Sequence, residues 1–212
     1  YAPLVLPARV GPAAVVVPVK AFTAAKLRLA TALDPPARAA LARQLADVVV
    51  AAAAPLPVLV VCDDDEVRDW ARAAGAEVVW CPGRGLNGAV ADGVDALRDR
   101  GYERAVVAHA DLPLARELAW VADFPGVTLV PDRRRDGSNV LAVPTAAGFG
   151  FAYGAGSFAR HRAEAARLGL PLRIVDDPAL RWDVDLPADL AWPDLQGLTD
   201  AFPRPTPHPV RS

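Results

Sequence analysis

The chain has 212 residues, a hydrophobic fraction of 53% and a formal net charge of −2. That length supports one globular domain with a real core, and the slight acidity disfavours a general nucleic-acid binder. No segment reaches the roughly 20 apolar residues of a membrane span, and Cys62 and Cys81, without metal or disulfide spacing, read as buried thiols in a reducing, cytoplasmic setting.

The apolar run "AAVVVPV" (13–19) is the first predicted strand. A helix follows over 34–52, with Asp34 as its N-cap, prolines in the first turn, and Leu41, Leu45, Val48 and Ala52 on one face. Next come a strand over 57–62, a helix over 65–75 that Gly75 ends, and a strand over 76–80. "CPGRGLNG" (81–88) reads as a loop before a helix carrying Val90, Val94 and Leu97. Then follow a strand over 104–110 with His109 packed inside it, a helix over 114–123 and a strand over 127–131. The remainder is a strand over 139–144, a glycine-aromatic loop over 148–158, a helix over 158–169 with His161 on its surface, and a strand over 171–176. The proline-rich tail 199–212, which includes His208, is expected to be disordered. The alternation predicts an α/β domain over 13–198, with a mostly parallel, mixed sheet flanked by helices on both faces.

In such sheets, ligands bind at the carboxyl ends of the strands. "VVAHADLP" (106–113) puts Asp111 there, either as the cap of the helix predicted near Leu114 or as a ligand for a hard cation. "RWDVDLP" (181–187) adds Asp183 and Asp185, which point the same way if the segment is extended. They are either a second part of a cation site or paired surface charge. Only two of the 23 basic residues are lysines, Lys20 and Lys26, and both lie in "VPVKAFTAAKLRL" (17–29). A compact ammonium suits a phosphate site. In "PGRGLNG" (82–88), Asn87 is able to read a base edge, although ordinary loop chemistry explains the segment equally well. "YGAGSF" (153–158) sets Gly154, Gly156 and Ser157 before a helix, either as a capped turn or as amides for an anion. There is no Walker A loop, no G-x-G-x-x-G and no G-x-S-x-G, which disfavours dinucleotide binding and a covalent enzyme intermediate.

Taken in order, "PVKAFTAAKLRL", "GLNGA", "ADLP", "DGSN", "YGAGSF" and "WDVDLPADL" resemble the guanylyltransferases of coenzyme F420 biosynthesis that act on phosphoenolpyruvate or 2-phospho-L-lactate. The resemblance spans roughly 13–192 and implies the nucleotidyltransferase fold shared with sugar-nucleotide pyrophosphorylases and GT-A glycosyltransferases. It implies Asp111, Asp183 and Asp185 as ligands of Mg²⁺, expected as two ions, and Lys20 and Lys26 as nucleotide-phosphate contacts. Leu86, Asn87 and Gly88 fall in the base-recognition segment, and Ser138, Gly154 and Ser157 at the acceptor. Ser138 replaces the family's usual Thr in "GTN" and keeps the hydroxyl; Leu27 replaces a Ser in "AKSRL" and does not. The implied partners are GTP and a phosphorylated three-carbon acid, with no nucleic acid or membrane, and a hand-off of product to the next enzyme of the pathway. The arginine-rich, lysine-poor composition favours phosphoenolpyruvate over 2-phospho-L-lactate through the kind of genome it suggests. A molybdenum-cofactor guanylyltransferase, a GT-A glycosyltransferase and a nucleotide-binding sensor are the rival readings.

Overall fold

The computed structural model describes residues 11–191; the tail 199–212 and His208 lie outside them. Seven strands form one sheet in the order β3-β2-β1-β4-β6-β5-β7. They are β1 (Ala13–Pro18), β2 (Val58–Cys62), β3 (Glu77–Trp80), β4 (Arg104–Ala108), β5 (Val127–Pro131), β6 (Ser138–Pro144) and β7 (Leu172–Ile174). β6 runs antiparallel to its neighbours β4 and β5, and every other pairing is parallel. Among the described residues, four helices flank the sheet: α1 (Pro35–Ala52), α2 (Asp65–Ala73), α3 (Gly85–Asp99) and α4 (Ser157–Arg167).

Both faces of the sheet are covered, as continuous apolar strands require. Val15 and Val17 of β1 pack with Ala46 and Val49 of α1 and Val67 of α2. Ala14 and Val16 face the other way, against Val90, Val94 and Leu97 of α3 and Phe158 and Ala165 of α4. Gly93 allows α3 to lie this close, since a Cβ there would come within 2.7 Å of Val61 Cγ1 and 2.9 Å of Val16 Cγ1. The Asp34 carboxylate caps α1 by accepting from Ala37 N at 2.8 Å, with prolines in the first turn as the sequence predicted.

Three expectations fail, each for a physical reason. The helix predicted over 114–123 is an irregular segment ending in a 3-10 turn, Ala119–Asp123. Its apolar spacing belongs to a loop that buries Leu112, Ala115, Leu118 and Val121 against the α1 side of the sheet. The loop predicted over 81–88 is half helix, because Gly83 and Gly85 take positive φ (68° and 61°) and turn the chain straight into α3. Leu86, Asn87 and Gly88 therefore sit on the first turn of that helix. His161, predicted on a helix surface, is fully buried.

Candidate active site

The carboxyl ends of the neighbouring parallel strands β2, β1 and β4 open into a cleft of about 430 Å³. Its walls include both lysines of the chain, Lys20 and Lys26, together with Leu86, Asp111 and Asp185. The first turn of α3 forms one wall and the 20–28 segment another. Asn87, Gly88, Ser138, Gly154, Ser157 and Asp183 do not line it.

Asp111 lies three residues past the end of β4 and caps no helix. Its Oδ2 accepts from Lys26 Nζ at 2.7 Å, and the same ammonium donates to Val184 O at 2.7 Å. Lys26 makes this reach from a left-handed backbone (φ 55°), an unusual conformation for a residue with a Cβ. Burial opposes ionisation of Asp111, but the charges of Lys26 and His109 and the lysine hydrogen bond outweigh it. Its pKa is held below the ordinary carboxylate range.

Val184 N donates to Asp111 O at 3.1 Å, which fastens the 183–185 segment beside Asp111. Val184 itself is 1% exposed, packed with Leu29, Leu41 and Leu45. That anchor leaves the two flanking acids unlike each other. Asp185 reaches the rim and pairs with Arg28 at 2.7 Å, a contact no sequence motif announced. Asp183 faces inward, and burial, then the charges of Asp111, Asp132 and Asp185, push its pKa up to about 6.

A further acid, missed in the sequence, shapes this segment. Asp189, 2% exposed, accepts from Asp185 N at 2.8 Å and Leu186 N at 2.7 Å. It also pairs with Arg133, whose guanidinium stacks 3.5 Å from the centre of the Trp182 ring. The only sequence sign was its place in "DLPADL", three residues past Leu186.

A divalent cation fits the acids on one observation of this structure. Asp111 Oδ1 and Asp183 Oδ1 are buried oxygens with no hydrogen-bond partner among the described residues. Two such oxygens repel each other unless a positive charge comes between them. The acids do not form a ready-made cage: among the described residues no group of three or more His, Cys, Asp or Glu is arranged to hold a metal.

Asn87, Ser138, Gly154 and Ser157 make their contacts outside the cleft lining. Asn87 Oδ1 accepts from Tyr153 N at 2.6 Å, so its carbonyl joins α3 to the glycine-aromatic loop. Ser138 Oγ lies 2.9 Å from His161 Nδ1 and 3.4 Å from Ser157 Oγ. The amides expected to bind an anion ahead of α4 are already engaged: Gly156 N with Asp136 Oδ1, Ser157 N with Gly154 O and Phe158 N with Asp136 O.

A fold of this kind, with a cleft at the ends of β2, β1 and β4, is that of the nucleotidyltransferases and nucleotide-diphospho-sugar transferases. It is similar to a protein of Desulfovibrio desulfuricans G20 described as a nucleotide-diphospho-sugar transferase (TM-score 0.67, 15% identity, 89% of this chain and 95% of that one). It is also similar to a nucleotidyl transferase from Methanothermobacter (TM-score 0.56, 16% identity, 84% and 94%). The profile of the guanylyl transferase CofC-like family matches residues 13–197, and the chain belongs to that family. Proteins named phosphoenolpyruvate guanylyltransferase are similar to it: one from Sphaerobacter thermophilus (41% identity, 82% of this chain and 89% of that one), one from Rubrobacter xylanophilus (35%, 89% and 97%) and one from Streptomyces coelicolor (41%, 82% and 86%).

Proposed function

We propose that the chain transfers GMP from GTP to the phosphate of phosphoenolpyruvate, giving enolpyruvyl-diphospho-guanosine and pyrophosphate in coenzyme F420 biosynthesis. One observation of the structure carries the reading: the only two lysines of the chain line the same cleft as Asp111 and Asp185. The names of its relatives in Sphaerobacter, Rubrobacter and Streptomyces supply the acceptor.

The residues account for the chemistry in outline. A phosphomonoester has a second pKa of about 6, so at neutral pH the acceptor phosphate is already a nucleophile. No general base is needed. What the reaction does need is compensation of negative charge while two anions meet and pyrophosphate departs. Lys20, exposed at the cleft wall, and Lys26 are the cations for the triphosphate. Asp111, Asp183 and Asp185 would hold Mg²⁺, which supplies charge neutralisation at the phosphates when bound. Leu86 to Gly88, on the first turn of α3, are the segment for the guanine base. Ser138, Gly154 and Ser157, outside the cleft lining, are the residues assigned to the phosphorylated acid. The setting is a reducing cytoplasm, in keeping with the free thiols of Cys62 and Cys81, and the product passes to the next enzyme of the pathway.

The test is incubation with GTP and Mg²⁺ plus phosphoenolpyruvate or 2-phospho-L-lactate in turn, with products identified by mass. The expected result is a guanosine diphosphoester of enolpyruvate. A product from 2-phospho-L-lactate alone would move the acceptor, and GTP left intact with both acids would overturn the reading.

A further inference from the structure

Beside Ser138 and Ser157, the residues assigned above to the acceptor, lies a fully buried histidine, His161, that the reaction does not use. A register shift between β5 and β6 at Val130/Pro131 turns Ser138 toward α4. There, Ser157 and His161 share one helix face, four residues apart. Ser138 Oγ is 2.9 Å from His161 Nδ1 and 3.4 Å from Ser157 Oγ. On the far side of the ring, Ala152 N donates to His161 Nε2 at 3.0 Å.

A backbone amide only donates, so Nε2 must be the acceptor nitrogen and the neutral ring carries its proton on Nδ1. Nδ1–H then donates to Ser138 Oγ. The proton count at the two serines follows. They have two hydroxyl protons, and the bond between them consumes one. Were Nδ1 an acceptor, it would consume the other. With Nδ1–H a donor, one hydroxyl proton of the pair has no acceptor among the described residues.

We propose that His161 is a positioning residue for acceptor binding: by donating Nδ1–H to Ser138, it leaves one hydroxyl proton of the Ser138–Ser157 pair for an anionic acceptor. Carboxylate and phosphate oxygens accept only, so this polarity is the one such a ligand can use. The amides of Gly156, Ser157 and Phe158 offer no substitute, because they are bound to Asp136 and Gly154. A second ring proton would turn Nε2 against the Ala152 amide. Burial, with the Arg160 charge, disfavours it and pushes the His161 pKa down to about 4. Phe149 and Tyr153 enclose the ring, with centroids 5.9 and 4.8 Å away.

This inference rests on the reading that Ser138 and Ser157 face the acceptor, and the experiment separates the two. ¹⁵N NMR of the full chain labelled at histidine is expected to show His161 as the Nδ1–H tautomer; an Nε2–H ring or an imidazolium at pH 7 overturns the inference. In steady-state kinetics, Ser138→Ala and His161→Phe are each expected to raise the phosphoenolpyruvate KM roughly tenfold or more, the loss of one hydrogen bond to a charged group. The GTP KM and kcat should stay within about twofold. A rise in Ser138→Ala alone removes the role of His161 and leaves the acceptor site standing. No rise in either variant removes Ser138 from the acceptor site and this inference with it. Wild-type enzyme that turns over neither acid fails before any variant is made, and takes both readings down. If His161→Phe does not fold, the tautomer measured in the wild type still decides.

Discussion

Asp111 and Asp183 differ in ionisation because only one of them has a lysine. Lys26 lies on Asp111 at 2.7 Å, while Asp183 makes no ion pair among the described residues and its Oδ1 has no hydrogen-bond partner there. Replacing Asp111 by Asn keeps the size of the side chain and removes the negative charge that pairs with Lys26 and that the proposed reaction assigns to Mg²⁺. Pyrophosphate release should fall by at least about a hundredfold, with the circular dichroism spectrum unchanged. Near-normal turnover would remove Asp111 from the chemistry. His161 gives a prediction on pH. Its folded pKa of about 4 lies below the ordinary value of 6.5, so the unfolded chain binds the proton first as pH falls. The stability it contributes is fully present above about pH 6.5 and is lost as pH drops toward 4. Urea titrations of wild type should therefore lose up to about 1.4 kcal/mol per pH unit more than His161→Phe in that window. Parallel slopes for the two proteins would contradict the neutral buried ring.

The segment 183–189 shows how elements place the acids. Asp189 holds the amides of Asp185 and Leu186 and meets Arg133 from the β5–β6 turn. Asp189→Ala should leave two amides and a guanidinium without their acceptor, loosen Asp183 and Asp185, and raise the Mg²⁺ concentration for half-maximal activity severalfold. An unchanged magnesium titration would mean that the segment is held by Val184 alone. At α3, Gly93→Val forces branched carbons against Val16 and Val61 and should cost about 1–3 kcal/mol in chemical denaturation. Helix α1 was legible because Asp34, Pro35 and Pro36 mark its start and its apolar residues keep one face. The 114–123 segment was not, since spaced leucines serve a helix and a core-covering loop alike.

At the scale of the whole molecule, the cleft is assembled from parts far apart in the chain. Lys26 meets Asp111 across 85 residues and Val184 across 158. A ligand that joins these parts should stabilise the fold as a unit. GTP with Mg²⁺ at about a hundred times its dissociation constant should add about 2.7 kcal/mol, read as a rise in melting temperature larger than either component gives alone. No such synergy would argue against a shared nucleotide and metal site. The sequence by itself determined the alternation of strands and helices, the covering of both sheet faces and the identity of the acids and lysines, because these depend on local periodicity and on residue chemistry. Only the tertiary structure decided that Lys26 pairs with Asp111, that Arg28 takes Asp185 and Asp189 the amides behind it, and that His161 is buried against Ser138. Those contacts depend on crossings between distant segments and on where a strand bulges, and neither leaves a local period to read.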